Sequence, residues 1–93
     1  MAFTDADIAE AHQAASHQGA LPDDLYRLGL IYSTGQGADI NLIEAHKWFN
    51  LAATRGSDAA KACRKELADQ MTSAEVALAL RGARRHAAAG AAS

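Results

Sequence analysis

Ninety-three residues with a formal charge of −2 leave room for one small domain and a single core. The apolar fraction of 49% overstates the core-forming power, because 24 residues are Ala and only 16 are Val, Ile, Leu or Phe. One Cys excludes an internal disulfide framework, and no apolar run is long enough to span a bilayer.

An Ala-rich, Val-poor and Pro-poor chain favours helix over strand. Charge is uneven along it: −5 over residues 1–24, 0 over 25–60 and +3 over 61–93. The N-terminus has no basic stretch followed by an apolar one, so no signal peptide is expected and the expected compartment is the cytoplasm.

Five helices are predicted. The first opens at Thr4, with Asp5 and Asp7 in a turn whose dipole favours acids, and with Phe3 and Ile8 at the spacing of a hydrophobic staple. Ile8, Ala11 and Ala15 share a face, and Gly19 is the expected left-handed stop. The second helix starts at Pro22, followed by Asp23 and Asp24. Leu25, Leu28, Gly29 and Tyr32 repeat at i, i+3, i+4 and i+7, and Gly35-Gln36-Gly37 ends the helix.

The third helix begins near Asn41 and carries the same spacing in Ala45, Trp48, Phe49 and Ala52, with Gly56 as its stop. Ser57 or Asp58 caps the fourth, whose stripe is Ala60, Cys63, Leu67 and Met71. Thr72 and Glu75 have capping-box spacing at the start of the fifth, and Met71 with Val76 has staple spacing. Val76, Leu80, Ala83 and Ala87 are its expected buried stripe, and residues 89–93 are expected to fray. Loops this short favour antiparallel neighbours, so the chain reads as an all-α stack of helical hairpins. Gly29, Ala45, Ala52 and Ala53 allow close helix approach, and Trp48 is expected to fill the space they leave as the central core residue.

Three segments in order carry a recognisable pattern. They are Leu28-Gly29-Leu30-Ile31-Tyr32-Ser33-Thr34-Gly35-Gln36-Gly37, then Ala45-His46-Lys47-Trp48-Phe49, then Ala52-Ala53-Thr54-Arg55-Gly56. This arrangement resembles a Sel1-like repeat, a relative of the tetratricopeptide repeat, over residues 22–60. Ala38 and Asn41 depart from the family pattern, which often has Val and Asp there. The resemblance implies a helical hairpin whose structural positions are Leu25, Leu28, Gly29, Tyr32, Gly35, Gly37, Ala45, Trp48, Phe49, Ala52 and Gly56. It covers one repeat, and repeats bury their faces on neighbours, so residues 1–21 and 61–88 are expected to cap it within a single domain of 1–93. The segment from Met71 to Ala77 looks like the closing helix of short bacterial proteins of this kind. Phe3 to Ala9 echoes it, which reads as a shared helix-start device. The resemblance implies a scaffold for protein–protein contact, not a catalyst.

His12 and His17 are five apart, about 500° round a helix, so they share no face. His46, Cys63 and His86 fall on three different helices. No metal site or cofactor is expected, and the histidines read as surface residues. Cys63 lies on an apolar stripe and reads as an inert thiol. The serines have no nucleophile elbow, and Gly35-Gln36-Gly37 lacks the Gly-Lys-Ser/Thr ending of a phosphate loop. No enzymatic activity is expected.

Tyr26 and Leu30, with Arg27 and Ile31 beside them, lie on a second face of the second helix and are candidates for a partner groove. Arg81, Arg84 and Arg85 share a face of the fifth helix and are candidates for its electrostatic rim. The leading expectation is therefore a small adaptor that binds another protein. A second is self-assembly, with the acidic N-terminal third meeting the basic C-terminal third of another copy. A nucleic-acid-binding regulator ranks last, because it would rest on the three arginines alone in an acidic chain without interleaved aromatics.

Overall fold

The computed structural model describes residues 5–15, 20–36 and 38–92, the last four as backbone only. It contains five helices: α1 (Asp5–Ala15), α2 (Pro22–Thr34), α3 (Leu42–Thr54), α4 (Asp58–Gln70) and α5 (Ser73–Ala92). No strand occurs among the described residues. The expected staple of Phe3 with Ile8, the Thr4 cap, the Gly19 stop and the Gly37 turn position lie outside the described residues.

Local chemistry accounts for the helix ends. Pro22 occupies the first turn of α2, where its missing N–H costs nothing. Gly35 adopts a φ of 73°, and its N–H donates to the Ile31 carbonyl at 3.2 Å. Asn41 caps α3 by accepting from the Glu44 N–H at 3.1 Å. Gly56, at a φ of 105°, closes α3 in a Schellman motif: its N–H donates to Ala53 and that of Ser57 to Ala52. Ser57 rather than Asp58 then caps α4, accepting from the Ala60 N–H at 3.1 Å. The capping box of α5 is complete. The Thr72 N–H donates to Glu75 Oε1 at 2.8 Å, and the Glu75 N–H donates to Thr72 Oγ1 at 3.1 Å.

Helix α3 is the centre of the fold and packs against α2, α4 and α5, while α1 packs against α2. One cluster of buried residues draws on all five helices, from Ala11 and Ala15 to Ala83. Leu25, Leu28, Gly29, Ala45, Trp48, Phe49 and Ala52 are all buried, and Tyr32 is half-buried against them. Gly35 and Gly56 are not core residues. Both are exposed, and their role is the left-handed backbone of a turn.

Two expectations are corrected by the packing. Trp48 is buried, but the ring that fills the notch at Gly29 is that of Phe49: a Cβ on Gly29 would lie 2.8 Å from Phe49 Cζ, closer than real carbon atoms approach. The buried stripe of α5 is also displaced. Ala79 and Ala83 are buried, whereas Ala87 is exposed. The helix is turned toward α3 by His86, whose ring meets Trp48 edge-on at 4.9 Å and whose Nε2 donates to the Ala15 carbonyl at 2.9 Å. The backbone of α5 is helical through Ala92.

Candidate functional site

The first turns of α3 carry a connected polar group. Glu44, Lys47 and Trp48 are three and four residues apart, so they share a face. Glu44 Oε2 receives both Lys47 Nζ at 2.9 Å and the Trp48 Nε1–H at 3.2 Å. Lys47 Nζ also lies 4.3 Å from the centre of the Trp48 ring. The carboxylate and the ammonium thereby neutralise one another while fixing the indole.

The Trp48 ring has imidazoles against it from two other helices. His12 meets it edge-on with 5.5 Å between ring centres, and His86 does so at 4.9 Å. His12 Nε2 and Tyr32 Oη are 2.8 Å apart, which ties α1 to α2. Burial holds His12 below its ordinary pKa; Lys47 and His86 act in the same direction and Glu44 opposes them. Burial raises the Tyr32 hydroxyl above its usual range, with the Glu44 charge adding to it. His46, on another face of α3, is 3% exposed, and its Nδ1 has no hydrogen-bond partner. Burial, and then the Arg64 charge, lower its pKa. These three histidines are thus packing residues, not the surface groups expected from the sequence. His12 and His86 are half-buried, and Nε2 of each ring has a hydrogen-bond partner, Tyr32 Oη for the first and the Ala15 carbonyl for the second.

Outside this cluster, α3 and α5 splay to form an open cleft of about 440 Å³. Ile43, Glu44 and Lys47 line it from α3, and Leu78, Ala79, Gly82, Arg85 and His86 from α5. Gly82 makes the close approach possible: a Cβ there would stand 3.0 Å from Lys47 Cδ. Leu78 is 49% exposed, so the cleft has an apolar wall open to solvent.

The expected partner face on α2 fares differently. Ile31 is fully buried and cannot line a surface groove, because it points into the contact between α2 and the core. Tyr26 is half-buried: its ring lies 5.6 Å from that of Phe49, and its hydroxyl lies 4.0 Å from Cys63 Sγ on α4. Burial, then the thiol contact, raise the Tyr26 pKa. Leu30 also packs against the core, and only Arg27 of this group is exposed. Helix α4 and the core therefore cover much of the face. Arg81, Arg84 and Arg85 are all exposed, and Arg85 alone of them lines the cleft.

Sequence reasoning thus found Arg85 but missed Ile43, Glu44, Lys47, Leu78, Ala79, Gly82 and His86. The readable signal was Gly82, a glycine in a helix interior, where a close neighbour offsets a propensity cost of about 0.5–1 kcal/mol.

Among the described residues, no group of three or more His, Cys, Asp or Glu side chains is placed to hold a metal ion. None of their helices is long and apolar enough to cross a membrane. No protein-family model matches the chain, and neither a curated protein nor a solved structure matches it.

Proposed function

We propose that this chain is a non-enzymatic protein–protein interaction module, a small cytoplasmic adaptor of the Sel1-like repeat type found in bacteria. The repeat pattern over residues 22–60 supports the family reading through its residues alone. The observation that carries the interaction reading is the α3–α5 cleft. It combines an apolar wall at Ile43 and Leu78 with arginines on one flank, the composition of a partner surface more than of a reaction centre. The binding surface is accordingly read on α3 and α5, with Arg81, Arg84 and Arg85 as its rim. Tyr26, Arg27 and Leu30 become secondary, and Ile31 is withdrawn.

The test is affinity capture of the tagged protein from its native lysate, with and without nuclease, read by mass spectrometry. One dominant nuclease-resistant protein is the expected result. Recovery of the bait alone, with a mass in solution that rises with concentration, would replace the adaptor with self-assembly. Ligands lost on nuclease treatment would overturn it in favour of nucleic acid.

A further inference from the structure

We infer that the α3–α5 cleft takes a short acidic peptide segment of another protein, one that presents a bulky apolar side chain between carboxylates. The inference rests on the interaction-module reading and specifies its partner.

The charge balance of the cleft selects the sign of the occupant. Glu44 and Lys47 both face it, but they are paired at 2.9 Å and Glu44 also holds the indole N–H. They contribute little net field. The remaining charges are Arg85 in the wall and Arg81 one turn earlier on α5, with Arg84 beside them. Among the described residues, none of the three arginines has an ion-pair or hydrogen-bond partner. Their planar forks suit carboxylates, which they bind through paired N–H···O contacts.

The size and lining select the rest. About 440 Å³ lies within the range of small ligand sites, which suits a few peptide residues rather than a broad domain face. Leu78 and Ile43 offer apolar surface, and Gly82 leaves the floor between them without a side chain. One apolar anchor can sit there while flanking carboxylates reach Arg81 and Arg85. A nucleic acid is disfavoured because the only Trp of the chain is covered by His12, His86 and Lys47, leaving no aromatic platform in the cleft for a base.

The probe is a short acetylated peptide of Asp and Glu around one central Leu, with a second peptide carrying Ser at that position. Binding is followed by Trp48 fluorescence and by amide chemical shifts of the labelled protein. The Leu peptide is expected to shift amides around Ile43–Lys47 and Leu78–His86, and to bind more weakly as salt rises. Arg81→Glu with Arg85→Glu is expected to weaken it by at least about tenfold. Leu78→Ser is expected to weaken the Leu peptide but not the Ser peptide, which isolates the anchor contact. All three positions are exposed or half-exposed, and unchanged helicity and thermal midpoint check that the variants fold. Equal affinity for both peptides, shifts on another face, or no binding by the wild type would overturn the inference. So would concentration-dependent self-association abolished by the arginine reversals, since a second copy would then be the occupant. If the reversed variant still captures the wild type's partner from lysate, the cleft is refuted while the module reading stands. If the peptide binds as described but lysate capture recovers no partner, the module reading fails instead.

Discussion

A methyl group added at Gly29 has no free space, because the Phe49 ring already occupies it. Helix propensity would favour Gly29→Ala by about 1 kcal/mol, but overpacking a fixed core costs about 1–3 kcal/mol. The expected net result is a loss of up to about 2 kcal/mol in urea denaturation, partly recovered when Phe49→Leu is added. Without that recovery, the ring would not be the obstacle. Trp48 is the other large anchor. It is 3% exposed and touches side chains from α1 and α5. Trp48→Ala is expected to cost about 3–5 kcal/mol, followed by circular dichroism because the variant has no indole reporter. A small domain has only about 5–15 kcal/mol in total, so this change approaches the limit of folding. A cost below about 1 kcal/mol would be irreconcilable with the contacts described. Both aromatic positions were visible as a repeated spacing, but which ring met Gly29 was not. Trp48 and Phe49 are consecutive, so they diverge by about 100° around α3, and only the packed neighbours choose between them.

Helix ends were the most legible elements, because caps are decided within a few residues. The Thr72–Glu75 pair makes the bonds its spacing predicts, Ser57 rather than Asp58 caps α4, and Asn41, where the third helix was expected to begin, caps α3. Thr72→Ala is expected to cost about 1 kcal/mol by leaving the Glu75 N–H without its acceptor, and Thr72→Ser much less. Equal losses from the two variants in thermal denaturation would rule out the cap as the cause. The face of α5 was far less legible. Ala occurs at positions 74, 77, 79, 83, 87 and 88, so small apolar residues lie all round the helix and the stripe has little contrast. The actual orientation follows from contacts far away in sequence: His86 on Trp48 and Ala15, and Gly82 against Lys47. The cleft was hidden for the same reason. Its two walls come from helices separated by α4, and no local pattern states that α5 returns to α3.

At the scale of the whole molecule, burial makes two imidazoles harder to protonate. His12 joins α1 to Tyr32 and Trp48, while His46 is buried in α3 near the charge of Arg64 on α4. Burial lowers both pKa values from the ordinary 6.5, with Lys47 and Arg64 as the respective charged contributors. A histidine that is harder to protonate when folded makes the unfolded chain the better proton acceptor. Its stabilising contribution is therefore complete above about pH 6.5 and is lost as pH falls through the lower folded pKa. Urea midpoints measured between about pH 8 and pH 5 are expected to fall on the acidic side. His46→Leu is expected to leave stability at pH 8 unchanged or raise it, because it removes a buried Nδ1 that has no partner. It is also expected to flatten the acid slope, and His12→Gln in the same chain to flatten it further. If the double variant keeps the full slope, the titrating groups are the acidic residues and not these two histidines. If it becomes flat, His12 and His46 set the pH range in which the five helices stay together.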